Sequence, residues 1–192
     1  MNRMLTMSDC RFMASIACTL KAMEEMLKDR SGGRVSMNLT SLLQQNKEML
    51  EKYYAQEIAA HHIKIAFDIP NQELTINANP EMLSKTFMSM LGNAVYAISK
   101  KASRTAFEPV ISLKVEQQSN AITIAIRDNG IGIESTIIDK VFDPFFTTKP
   151  TGEASGVGLY LSREIIQNHD GDITVESVKD EYTEFIITLP IA

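Results

Sequence analysis

Cysteine is scarce, a long apolar run is missing and positive charge is in the minority, and each shortage excludes a class of protein. Only Cys10 and Cys18 are present, eight residues apart, with neither metal-ligand spacing nor the density of a disulfide scaffold; both read as reduced packing residues. No apolar stretch approaches the ~20 residues that cross a bilayer, and the Met-rich beginning lacks the continuous apolar centre of a signal peptide. A cytoplasmic location is the expectation. A formal charge of -5 and a pI near 5.3 offer no basic field to a polyanion, so nucleic acid is not an expected partner. Histidine occurs three times, at His61, His62 and His169, and the first two stand before a strand while the third sits in a turn. All three read as solvated surface residues.

What is present suits one sizeable core with an appendage: 192 residues, 44% of them hydrophobic, against a usual domain size of about 100–200 residues. Met13, Ile16, Leu20, Met23 and Leu27 are spaced three, four, three, four, the seam of a helix that meets one partner. Ser31-Gly32-Gly33 supplies its C-cap or a hinge. Residues 1–33 thus form a helical arm, packed either between subunits or domains or on its own domain, and residues 34–192 form the main domain.

Within that domain, Val35 to Leu39 reads as extended, and a helix is expected from about Leu42 to Ala60. Ile63, Ile65, Phe67 and Ile69 alternate as a strand with one buried face, and Leu74 with Ile76 makes a second. Asn79-Pro80-Glu81 opens a helix by the usual rules, with Asn as N-cap, Pro in the first turn and an acid near the positive end. Leu83, Phe87, Met90, Leu91, Ala94 and Ile98 form its inner side. Two strands follow, over Ile111 to Val115 and Ala121 to Ile126, then a short helix around Thr136 to Val141. A further helix from about Leu159 to Asn168 and closing strands over Asp172 to Glu176 and Glu184 to Leu189 complete the order. The fold class is α+β, a two-layer sandwich with a mixed, largely antiparallel sheet.

Four short motifs carry chemistry. Asp128-Asn129-Gly130-Ile131-Gly132-Ile133 ends a strand in a carboxylate and runs into two glycines one residue apart, a plausible purine pocket as well as ordinary turn chemistry. Asn93, in Met90-Leu91-Gly92-Asn93-Ala94, puts an amide on a helix rich in apolar neighbours, where it must be satisfied or serve a ligand. Val141 to Lys149 contains Asp143-Pro144-Phe145-Phe146-Thr147-Thr148-Lys149. Gly152, Gly156 and Gly158 then precede a helix whose free N–H groups suit phosphate.

In this order the motifs resemble the N, first glycine, F and second glycine boxes of a sensor histidine kinase ATP-binding domain, the Bergerat fold, over residues 35 to 190. The Asp-Pro-Phe-Phe-Thr-Thr-Lys form is most similar to the nitrogen-regulation type. The resemblance implies that Mg-ATP is bound and its γ-phosphoryl transferred to a histidine. It assigns adenine to Asp128, with Gly130, Gly132, Ile133 and Thr183 beside it, although a strand threonine satisfied by backbone is an equal reading of Thr183. It assigns Mg²⁺ to Asn93, which suits a metal that keeps most of its waters. The lid runs from Phe142 to Ser155, with Phe145 or Phe146 as anchor, Lys149 as a phosphate contact, and Gly156, Val157, Gly158 and Leu159 at the phosphates. Ala154 and Ser155 replace the family's usual Gly and Thr, which implies a stiffer lid. In hydrolases sharing the fold, the position four residues before the metal-binding Asn carries a glutamate that activates water; here it is Ser89, and a serine is no general base at neutral pH.

No histidine of the chain resembles the phospho-acceptor of such a kinase, so the acceptor is expected on another segment or in trans. The arm from Met4 to Arg30 resembles the second helix of the dimerisation bundle, implying a fragment, a possible homodimer through that helix, and a response regulator downstream. Two alternatives stand beside this reading: a non-kinase Bergerat-fold ATPase and a degenerate nucleotide-binding interaction module. The location implied is cytoplasmic, either free or as the cytoplasmic part of a membrane-bound sensor.

Overall fold

A computed structural model of the chain describes residues 33–150 and 154–191. The expected arm helix with Cys10 and Cys18, and Gly152 of the lid, lie outside the described residues. From Gly33 onward the chain forms a unit of its own.

Among the described residues seven strands and four α-helices follow one another: β1 (Val35–Asn38), α1 (Leu39–Tyr53), α2 (Ala55–His61), β2 (Lys64–Asp68), β3 (Thr75–Ala78), α3 (Pro80–Ala102), β4 (Val110–Gln118), β5 (Ala121–Asp128), α4 (Gly158–Gln167), β6 (Asp172–Val178) and β7 (Tyr182–Pro190). A single 3₁₀ turn, Ile138–Lys140, stands where a short helix was expected. The main sheet has the order β2-β4-β5-β7-β6, while β1 and β3 form a separate antiparallel ribbon. Only β2 and β4 run parallel; the other neighbours are antiparallel. The mixed, largely antiparallel sheet with helices on one side is the expected architecture.

The core lies between the sheet and α3. Ile111 and Leu113 from β4, Ile122, Ile124 and Ile126 from β5, and Ile187 and Leu189 from β7 are buried, as are Leu83, Phe87, Met90, Leu91 and Ile98 of α3. Asn79 caps α3 through its side-chain oxygen, which accepts from the Met82 N–H at 3.1 Å, and Pro80 follows at the first helical position, as the sequence signal requires. Between α1 and α3 the buried Asn46 amide donates to the Leu42 carbonyl at 2.8 Å and accepts from Ser84 Oγ at 2.9 Å.

The single helix expected up to Ala60 is instead two, broken at Tyr54 with φ -111° and ψ 26°. Its hydroxyl stands where a side chain on Gly92 would begin, 2.5 Å from that position. Tyr54 thus lies against α3 at Gly92, where a side chain would collide with it. His169 also departs from expectation, since it is buried and not solvated. Its Nε2 accepts from the Asn79 N–H at 2.9 Å, and its Nδ1 lies 2.7 Å from the Ile165 carbonyl. Because a carbonyl only accepts, the proton sits on Nδ1 and the ring is neutral. Burial, foremost, pulls the His169 pKa below its ordinary 6.5.

Candidate functional site

Strand parity determines where the Asp128 carboxylate goes. Ile122, Ile124, Ile126 and Asp128 share one face of β5, so the residue that ends the strand points toward the helices as its isoleucines do. Asp128 is 4% exposed, and its register partner on β7, Thr183, is likewise buried. Burial pushes the Asp128 carboxyl up to about 7, against the Gly130 N–H bond and the charges of Lys101 and Arg127, which pull it down. An acid this close to neutrality in a cleft marks a functional candidate.

The loop after Asp128 is held at every turn. Gly130 N–H donates to Asp128 Oδ1 at 2.8 Å, Ile131 N–H to the Ala97 carbonyl of α3 at 3.3 Å, and Ile133 N–H to Ser177 Oγ at 2.8 Å. The Asp180 N–H in turn reaches the Ile131 carbonyl at 2.7 Å. Asn129 ties the loop to the start of β4, with Oδ1 2.8 Å from Val110 N and Nδ2 2.7 Å from the Glu108 carbonyl. The two glycines are required by protein neighbours. A side chain on Gly130 would begin 2.6 Å from the Ala97 carbonyl carbon, and one on Gly132, where φ is +61°, would strike the Val178 carbonyl.

A cleft of about 860 Å³ opens above this loop. α3 forms one wall through Ser89, Asn93, Tyr96 and Ala97, whose spacing keeps them on one face. Asp128, Ile131, Gly132, Ile133, Thr183 and Phe185 form the floor and far side, and Phe146 to Lys149 with Ala154 to Gly156, Gly158 and Leu159 form the rim. α4 begins at Gly158 with no side-chain cap on Val157, and the N-terminal end of a helix carries the positive end of its dipole, which suits an anion. Gly158 abuts α3, since a Cβ there would begin 2.8 Å from Ser89 Oγ.

At the α3 wall the Lys149 ammonium donates to Asn93 Oδ1 at 2.8 Å and lies 4.4 Å from the centre of the Tyr96 ring. An amide oxygen already holding a cation is a fit for a hard metal ion. Among the described residues no group of three or more His, Cys, Asp or Glu could hold a metal by itself. Any Mg²⁺ there would have Asn93 as its protein ligand and phosphate and water for the rest.

Asp128, Gly132, Ile133, Thr183, Asn93, Lys149, Gly156, Gly158 and Leu159 are therefore brought to one cleft. Gly130, Val157 and Phe145 are not among its lining residues. Gly130 lies behind the floor against α3, and Val157 is buried. Phe145 has φ +66°, which turns its ring outward, 39% exposed, while its carbonyl carbon stands 2.5 Å from where a Cβ on Gly156 would be. The core anchor of this stretch is Phe142, edge-on to Phe185 at 6.3 Å, and Phe146 is the phenylalanine that lines the cleft. Tyr96 and Ser177 were missed by sequence reasoning. Tyr96 stands three residues after Asn93, one turn along the same helix face, and Ser177 shares the inward parity of Ile173 and Val175 on β6.

The family model described as histidine kinase-, DNA gyrase B- and HSP90-like ATPase matches residues 78–192. Among curated proteins, the signal transduction histidine-protein kinase AtoS of Escherichia coli is 32% identical over 92% of this chain and 27% of its own length. The sensor protein kinase WalK of Staphylococcus epidermidis is 34% identical over 70% of this chain and 22% of its own. The chain spans about a quarter of the length of these relatives. Among solved structures, the catalytic domain of histidine kinase ThkA aligns with TM-score 0.66 at 24% identity, covering 82% of this chain and 95% of that one. The mycobacterial sensor histidine kinase MprB aligns with TM-score 0.67 at 18% identity, over 82% and 97%. No helix among the described residues is long and apolar enough to cross a membrane.

Proposed function

The chain belongs to the histidine kinase-, DNA gyrase B- and HSP90-like ATPase family, and from that premise we propose that it is the ATP-binding catalytic domain of a two-component sensor histidine kinase. It transfers the γ-phosphoryl of Mg-ATP to a histidine on another segment or chain. The observation that carries this reading is one cleft that joins a buried acceptor pair, Asp128 and Thr183, to a cationic end made by Asn93, Lys149 and the uncapped start of α4. The first end suits a purine amine and the second suits phosphates.

In the mechanism this implies, the Asp128 carboxylate accepts from the adenine amine, and the pinned loop from Gly130 to Ile133 keeps that carboxylate from moving. N–H groups at the start of α4 and the Lys149 ammonium take the phosphate charge. Asn93 Oδ1 would hold Mg²⁺, which when bound draws charge from the β- and γ-phosphate oxygens. An imidazole nitrogen of the acceptor histidine forms the new N–P bond, and the bond from γ-phosphorus to the bridging oxygen breaks with its electron pair leaving on ADP. Positioning and charge stabilisation suffice for such a loose transition state. Ser89 lines the cleft four residues before Asn93, where a hydrolase would need a base; this favours transfer over hydrolysis. A response regulator is the expected next acceptor, and the arm that the sequence pattern suggests over residues 1–33 is the expected route to a homodimer.

The test is incubation of the chain with γ-labelled ATP and a separate helix fragment bearing the acceptor histidine of a relative kinase. Acid-labile, base-stable label on the fragment is expected. Steady phosphate release with no labelled fragment would replace the kinase reading with the ATPase one.

A further inference from the structure

The Ser177 hydroxyl lies on β6 behind the cleft, and all of its hydrogen-bonding capacity is used. A serine hydroxyl has one proton and two lone pairs. The Ile133 N–H, 2.8 Å away, can only donate to it. The Tyr182 carbonyl, 2.6 Å away, can only accept, so the serine proton goes there. The remaining neighbour, Thr183 Oγ1 at 3.1 Å, must then be the donor. Its single proton points back to Ser177, and only lone pairs are left for the cleft that Thr183 lines.

Thr183 is the register partner of Asp128 across β5 and β7, so the cleft floor carries two acceptors side by side. We propose that Ser177 is a positioning residue for base selection: by taking the Thr183 proton it makes that hydroxyl an obligate acceptor beside Asp128, favouring 6-amino over 6-oxo purine nucleotides. A 6-amino group brings two N–H donors to this floor; a 6-oxo group brings lone pairs to lone pairs. The inference rests on the nucleotide reading of the cleft. Removing the serine hydroxyl would free the threonine to rotate and donate into the cleft, and a 6-oxo base would gain the donor it lacks.

Titration of the full chain with ATP and with inosine 5′-triphosphate, both at saturating Mg²⁺, tests this through the affinity ratio. Ser177→Ala should narrow the preference for ATP by about tenfold, the effect of one hydrogen bond, and Ser177→Thr should keep the parent ratio. Thr183→Val should weaken ATP while leaving the inosine nucleotide unchanged, so the proton assignment can be checked even where Ser177→Ala does not fold. Equal weakening of both nucleotides by Ser177→Ala, an unchanged ratio, or equal losses in Thr183→Val would overturn the role of Ser177 alone. A parent chain that binds neither nucleotide would overturn the nucleotide reading along with it.

Discussion

Replacing Asp128 by Asn should make the chain more stable and, in the same step, unable to hold adenine. Burial raises the carboxyl from 3.8 to about 7, so between those pH values the folded group holds a proton that the unfolded one has lost. Stability therefore falls as pH rises through that window and levels off above it. At about 1.36 kcal/mol for each pKa unit, the full loss is roughly 4 kcal/mol, of which about 2–3 kcal/mol develops between pH 5 and pH 8. Asn keeps an oxygen for the Gly130 N–H, bonded at 2.8 Å in the parent, and has no charge to desolvate. The melting temperature of Asp128→Asn should exceed that of the parent by a margin that widens by about 5–10 °C from pH 5 to pH 8. Scanning calorimetry of both proteins at the two pH values reads this directly. A margin that does not widen would refute the claim that an ionised Asp128 is costly at the cleft floor.

Asn93→Ala should remove the Mg²⁺ dependence of ATP binding more than it changes metal-free ADP binding; identical metal titrations for variant and parent would contradict the ligand role. Lys149 donates to Asn93 Oδ1 at 2.8 Å, so a metal ion on that oxygen would meet the repulsion of the ammonium, and Lys149→Met should enlarge the gain in nucleotide affinity that saturating Mg²⁺ gives. An equal gain in both proteins, measured by calorimetry with metal and with chelator, would speak against that competition. His169 is held neutral by burial with a pKa below 6.5, so its contribution is present above 6.5 and lost as pH falls through the folded value. The stability difference between parent and His169→Gln should shrink from pH 7.5 to pH 5 in urea titrations, and a constant difference would exclude the neutral ring as its source.

Much of the scaffold was legible because its signals are local. Asn79-Pro80 specifies its own helix start, and the alternation from Ile122 to Ile126 carries Asp128 inward by parity alone. What escaped depends on partners far along the chain. Tyr54 breaks the expected helix and sets its hydroxyl against Gly92 of α3, and His169 looks like a turn residue until its ring meets the Asn79 N–H, 90 positions away. In the lid, two adjacent phenylalanines offered no local reason to choose between them. A φ of +66° at Phe145 and the close approach of its backbone to Gly156 distinguish it from Phe146, and neither is visible in the local sequence. Ser177 has no motif at all; its role emerges only when β6, β7 and the loop at Ile133 share one hydroxyl.

Adenine nucleotide binding through Asp128 is tested by isothermal titration of Mg-ATP into the parent chain and into Asp128→Ala. Saturable binding is expected for the parent and none for the variant; equal affinity in the two would show that the carboxyl has no part in holding the base.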